Sequence, residues 1–289
     1  MSKYISPLTD FGFKKLFGEE DSKEYLIDFL NSILDGEIAY ITEIKDKDTN
    51  MLGQQIADRN SIFDLYCITK NGERILVELQ NERQPYFTDR SLFYSSLAIQ
   101  EQAKKGEWQY KLEKVYFIGI LNFKFNESKD YIHYGGILNT KTHEVLIDKL
   151  SFTFIELPKF KKEIQKNSSH QDKWLYLISK LEELDETPQE LDEKIYHDFI
   201  HKAQVTALNK KEFDNYQASL KRYRDNYAIE KHKLDEAEAI GVAKGIEQGI
   251  EKGEHVKALQ IAKSMKLKGY DINLIIDLTG LSKNDIDSI

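Results

Sequence analysis

The chain has 289 residues, 40% hydrophobic and 31% charged, with 15 Phe, 16 Tyr and only four prolines; it can bury a core in one or two domains and is not a disordered polymer. Asp and Glu number 49 against 41 Lys and Arg, a net charge of -8, with no basic arm or block, which argues against a tight, sequence-independent grip on nucleic acid through clustered cations. No apolar run is long enough to span a bilayer, no apolar signal region opens the chain, and Cys67 is the only cysteine; a cytoplasmic protein is expected, with no membrane contact, intrachain disulfide or cysteine-built zinc site.

Taken from the N-terminus, Asp10 or Thr9 caps an amphipathic turn, Phe11 to Phe17, with Phe13, Leu16 and Phe17 on one side. Asp10 reads first as a helix cap and second as an acid that approaches a metal site; Lys14 and Lys15 read as solvated side chains or phosphate contacts. A helix over Ser22 to Leu34 places Tyr25, Leu26, Phe29, Leu30 and Ile33 at helical spacing and ends at Asp35-Gly36. Glu37 to Lys45 suits a first strand, and Thr49 to Arg59 is expected to lengthen into strand.

Ser61 to Gln80 (SIFDLYCITKNGERILVELQ) predicts an antiparallel hairpin, two β-favouring runs around Lys70-Asn71-Gly72. Within this largely apolar stretch the acids are the anomaly, because a carboxylate in a core strand needs a partner, a metal or a shifted pKa. With a three-residue loop and Gly72 in the left-handed region, Thr69 pairs with Glu73 and Asp64 falls opposite Glu78; a two-residue turn puts Asp64 opposite Leu79 instead. Either register lets both acids reach one ion, and two hard carboxylates in an apolar sheet suit Mg²⁺, with Mn²⁺ as the second candidate. Cys67 falls on the opposite face from Asp64 and reads as core packing.

Pro85 ends the hairpin, and a long helix follows over Phe87 to Lys105, with Leu92, Phe93, Leu97, Ile99 and Ala103 available for burial and Arg90, Tyr94 and Leu97 along one side. Lys114 to Phe123 reads as a buried central strand, Gly135-Gly136 as a turn, and Ile137 to Thr140 and His143 to Leu157 as strands. The order is α/β with a small mixed sheet flanked by helices, closed by Pro158. From Lys159 the chain reads as all-helical, with Trp174, Leu175, Leu177, Ile178 and Leu181 on one buried face and Leu191, Ile195, Phe199 and Ile200 on another. Lys210 to Lys233 interleaves aromatics with Lys and Arg, a mix that can stack on and neutralise nucleic acid, but acids are equally mixed in and it reads first as a packed helix with a solvated face. Gly241, Gly245, Gly249 and Gly253 recur every four residues in helical sequence, each costing about 1 kcal/mol against Ala. The repeat is either a weak, hinge-like helix or a stripe of small residues that lets another helix approach closely; the second is favoured, and with it a homo-oligomer through the C-terminal helices. The tail, Val256 to Lys268, Ile272 to Thr279 and a last helix capped by Ser282, resembles a short helix-turn-helix but is acidic, and reads as a cap or docking element. The expected divisions are 1–160, 161–235 and 236–289.

An Asp on one strand followed by Glu-x-Gln on the next, here Asp64 and Glu78-Leu79-Gln80, resembles the active-site hairpin of the PD-(D/E)XK nuclease superfamily. Together with Leu8-Thr9-Asp10-Phe11-Gly12-Phe13-Lys14-Lys15-Leu16-Phe17-Gly18, the Arg-Ser-Leu-Phe-Tyr helix and the glycine-repeat tail, the chain resembles the superfamily's recombination-promoting nuclease/transposase family. The resemblance implies a PD-(D/E)XK-like core, a Mg²⁺-dependent DNA endonuclease leaving a 3′ hydroxyl and a 5′ phosphate, and a role in recombination or mobile elements. Asp64, Glu78 and the Leu79 carbonyl would hold the metal, and Gln80 would orient water. Arg90 and Tyr94, on the helix bordering the site, join Asp10 and Lys14 as further contacts. Two departures stand out: Gln80 occupies the usual Lys position and supplies no charge, leaving that load to the metal or to Lys14, Lys104 or Arg90, and Phe63 replaces the nominal Pro. The rival readings are a non-catalytic nucleic-acid-binding or assembly protein on the same scaffold, and two carboxylates merely paired with Arg74 or Arg90.

Overall fold

A computed structural model of the chain describes residues 2–46, 63–104, 106 and 109–289. They form two compact units, Met1–Tyr227 and Ala228–Ile289. In the first, helix α1 (Asp10–Phe17) is capped by Thr9, whose side chain accepts from the Gly12 N–H. Gly12 is required by proximity: a Cβ there would lie 1.9 Å from the Ser6 carbonyl oxygen. Helix α2 (Lys23–Ile33) buries Tyr25, Leu26, Phe29, Leu30 and Ile33, the stripe its spacing predicts.

The sheet has six strands among the described residues, β1 (Ile44–Asp46), β2 (Leu65–Thr69), β3 (Arg74–Gln80), β4 (Val115–Leu121), β5 (Ile132–Leu138) and β6 (Val145–Glu156), in the order β1-β2-β3-β4-β6-β5. Strands β3, β4 and β6 run parallel, and the remaining pairings are antiparallel, so the sheet is mixed, as expected. Strand β1 is shorter than the expected Glu37 to Lys45. Before it, Asn31 exchanges both amide hydrogen bonds with Ile41, which ties this segment to α2 rather than to a ladder. The expected strand within 49–59 lies outside the described residues.

The β2–β3 register matches the three-residue loop: Leu65 faces Val77, Tyr66 faces Leu76 and Cys67 faces Ile75. Thr69 N–H donates to the Glu73 carbonyl, and Gly72 takes φ +92, a conformation that favours glycine. Side chains alternate across the sheet, so Ile75, Val77 and Leu79 join one core with Phe17, Phe29, Trp174 and Phe199, while Leu76 joins a second with Phe87, Leu97, Phe117 and Leu121.

Helix α3 (Phe87–Gln100) covers that second face. It ends before Lys105 because Gln102 turns back, its side chain exchanging two hydrogen bonds with the Glu113 backbone. Leu92 and Phe93, expected to be buried, are exposed. Leu97 is buried as expected, and the inward stripe is completed by Phe87, Ser91, Ser95 and Ala98, with the Ser91 and Ser95 hydroxyls bonded to carbonyls one turn back. Gly135 and Gly136 are not a turn but lie inside β5, opposite Phe152 and Ser151; the reversal falls at Asn139 to Glu144, where His143 takes φ +61. Two register shifts flank Ile137, and the first residues of β6 extend beyond the start of β4, whose Val115 faces Leu150. The resulting arm exposes Ile137, Leu138, Val145, Leu146 and Ile147.

Helices α4 (His170–Lys180) and α5 (Lys194–Lys202) bury the predicted Trp174, Leu175, Leu177, Ile178, Phe199 and Ile200. They share the α1–α2 core: Trp174 lies 5.9 Å from Phe17 and 5.0 Å from Phe199, ring to ring. The compact unit therefore runs past residue 160, where composition turns helical, to residue 227, because the later helices complete the cover of the sheet. Helix α6 (Lys210–Leu267) is one element of 58 residues. In the second unit, α7 (Ile272–Thr279) ends on Gly280 at φ +67, and α8 (Lys283–Asp287) starts with a Ser282–Asp285 capping box. Ala262, Ile275, Leu281 and Ile286 form its core. Cβ atoms built on Gly241, Gly245, Gly249 and Gly253 would meet nothing within 4 Å, so no described element packs on the stripe.

Candidate active site

The ladder between β2 and β3 stops at Leu65 and Val77, and the residue just before β2 is Asp64. Bonding pairs alternate along an antiparallel ladder. Counting from Thr69 and Glu73, the N–H and C=O of Leu79 point to the β2 side, where the strand has ended. Asp64 fills that place: its Oδ2 accepts from the Leu79 N–H at 2.7 Å. The Leu79 carbonyl leaves the strand on the same side. Glu78 faces Gly119 of β4 on the α3 side, only 12% exposed at its side chain. Gln80 is buried, and its amide nitrogen donates to the Glu82 carbonyl at 3.2 Å.

Both carboxyls are pushed well above the ordinary carboxylate range. For Asp64, loss of water around the charge is the main cause, opposed by the Leu79 N–H and the Lys14 ammonium and reinforced by Asp10. For Glu78, burial again leads, the Asp64 charge adds to it, and Arg90 and Lys14 oppose it. Two acids lie close together in a partly dry site with too little positive charge to neutralise both. A divalent cation fits that deficit, and the donors at hand are hard oxygens of the kind Mg²⁺ takes. Among the described residues no group of three or more His, Cys, Asp or Glu gathers to hold a metal, so main-chain carbonyl, amide and water oxygens would complete the shell.

Arg90 stands 3.6 Å from Glu78 Oε1, is bonded to the Gln84 side chain and lies over the Tyr94 ring, 5.6 Å from its centroid. Tyr94 packs edge-on against Phe63 at 5.2 Å, which makes it a support for the segment carrying Asp64. Asp10 and Lys14 pair with each other at 2.7 Å on the exposed side of α1; Thr9, not Asp10, caps the helix. Both act on the carboxyls through their fields alone. Lys104 is exposed beyond the end of α3. Cys67 is buried on the opposite face. Asn81, which the motif does not mark, donates to the Leu8 carbonyl at 2.7 Å and ties the start of α1 to the end of β3. Its only signal in the sequence is its place directly after Glu-x-Gln.

A family model described as PD-(D/E)XK nuclease family transposase matches residues 7–233. No curated protein and no solved structure matches the chain.

Proposed function

The chain belongs to the PD-(D/E)XK nuclease family transposases, and from this we propose that it is a divalent-metal-dependent DNA endonuclease that hydrolyses phosphodiester bonds in recombination or mobile-element processes. The observation that carries the reading is the 2.7 Å bond from the Leu79 N–H to Asp64, because it draws one acid to the strand that bears the other. Asp64, Glu78 and the Leu79 carbonyl would hold Mg²⁺ or Mn²⁺. When bound, such an ion lowers the pKa of water and offsets charge on the attacked phosphate. Gln80, fixed at the end of β3, orients water through its amide. Arg90 supplies the nearest cation on the α3 side, held by Gln84 and Tyr94, and Lys14 supplies one on the α1 side. These two would make up for the charge that the superfamily's usual lysine supplies.

The test is nicking of supercoiled plasmid in Mg²⁺ or Mn²⁺ by the full chain and by Asp64→Ala and Glu78→Ala, with folding checked by circular dichroism. Cleavage that survives both changes removes the reading. A second reading, a non-catalytic binding or assembly protein, is favoured by Gln80 and by the exposed glycine stripe that would serve a homo-oligomer. It expects DNA binding or self-association with no cleavage at all.

A further inference from the structure

Helix α1 lies across the open end of the β2–β3 hairpin. Asn81 holds its start, and at its far end a Cβ on Gly18 would come within 2.9 Å of the Leu65 side chain, next to Asp64. The first turns of α6 dock along the outer side of α1. Ser219 Oγ accepts from the Phe11 N–H at 3.1 Å, the Tyr216 hydroxyl accepts from Ser6 N–H at 3.0 Å, and Lys15 pairs with Glu212 at 2.7 Å. Asn122, just past β4, donates to the Tyr223 hydroxyl at 3.2 Å. Between the two helices run two hollows of about 420 and 210 Å³ that share Asp10, Ser219 and Arg222. They form one trough, and Asn81 and Glu82 in its wall continue directly from Gln80.

The charges in this trough are mostly spent. Lys14 is paired with Asp10, and Lys15 with Glu19 and Glu212. Arg222 is exposed and makes no ion pair among the described residues. Five residues on and lining the same hollow, Tyr227 presents its ring, 57% exposed. A guanidinium fork with no carboxylate on it matches a phosphate, and an exposed ring offers a stacking surface to a base.

We propose that the trough between α1 and α6 carries the sugar–phosphate backbone of the nucleic-acid strand leading to the Asp64–Glu78 site, with Arg222 holding one phosphate and Tyr227 stacking on a base. This rests on the nuclease reading above and extends it to the substrate path. A single anchor, rather than a broad basic field, also suits a chain of net charge -8.

The experiment is fluorescence anisotropy with the full chain in chelator, titrating labelled single-stranded and duplex DNA oligonucleotides over a salt series. Arg222→Ala is expected to weaken binding about tenfold, the scale of one charge-assisted contact, and to make the dependence of log affinity on log salt shallower by about one. Arg222→Lys keeps most of that slope. Tyr227→Ala weakens the single strand more than the duplex and leaves the slope alone, while Lys180→Ala, on exposed α4 surface, changes nothing. Unchanged affinity and slope in Arg222→Ala, or no binding by the unaltered chain, overturns the proposal. Plasmid nicking run in parallel separates the two readings. Nicking that needs Asp64 but ignores Arg222 removes the trough and leaves the nuclease; binding that needs Arg222 without nicking does the reverse.

Discussion

Two carboxyls that keep their protons above the ordinary carboxylate range make the metal-free protein sensitive to pH in a defined direction. Unfolded, Asp64 and Glu78 ionise near their ordinary values of 3.8 and 4.5; folded, both hold the proton to higher pH. The folded state thus binds more protons, and stability falls as pH rises from those values through the raised ones. Melting temperature measured against pH in chelator should decline over that window for the unaltered chain and decline less for Asp64→Asn/Glu78→Gln. Mg²⁺ favours the ionised forms, so it should restore the lost stability at neutral pH, by about 2.7 kcal/mol at a hundredfold excess over its Kd, and fail to do so in the double variant. Either single change should lower nicking by about two orders of magnitude or more, as for other groups that act on charge in the transition state. The pair itself was legible in the sequence, because acids inside an apolar hairpin are conspicuous and the Asn-Gly turn limits the register. The Asp64 contact to a backbone N–H was not, since it depends on the ladder stopping one residue short. Nor was the role of Asn81, whose partner Leu8 lies 73 residues away in the chain.

Among the elements, β4 controls how closely α3 can approach the site. Gly119 faces Glu78, and a Cβ there would lie 2.9 Å from the Phe154 ring and 3.3 Å from Phe87. Gly119→Ala should therefore overpack this layer and cost about 1–3 kcal/mol in urea unfolding, with Arg90 shifted from Glu78 and nicking reduced beyond the loss of folded protein. The sequence disclosed helices with a strong apolar stripe, such as α2, and the strand β4 with its run of β-branched and aromatic residues. It misled where small residues sit inside regular elements. In α3 two serines approach the sheet and send Leu92 and Phe93 outward, and in β5 a glycine pair fits beside Phe152 rather than forming a bend. Local preference points to a turn and to buried phenylalanine, and tertiary packing overrides both.

For the whole molecule, the first unit should unfold as one. Trp174 is fully buried between rings from α1, α2 and α5, so Trp174→Ala should cost about 3–5 kcal/mol and shift the unfolding of the sheet together with that of α4 and α5. Hydrogen exchange that separates the two would show a boundary near residue 160 after all. In α6 the glycine stripe meets no neighbour, and Gly245→Ala with Gly249→Ala should raise helicity, by about 1 kcal/mol each. Light scattering on Gly245→Leu and Gly249→Leu then reports on self-association, and an unchanged mass rejects pairing through the stripe. One outer margin of the sheet sets a practical limit of its own. The β5–β6 arm offers an open strand edge with bare aliphatic residues, a template on which further chains could polymerise. The two slips of register around Ile137 spoil its regularity and so act as a guard against fibrils. Shelf life at high concentration should be limited there, in a segment remote in sequence from Asp64 and Glu78.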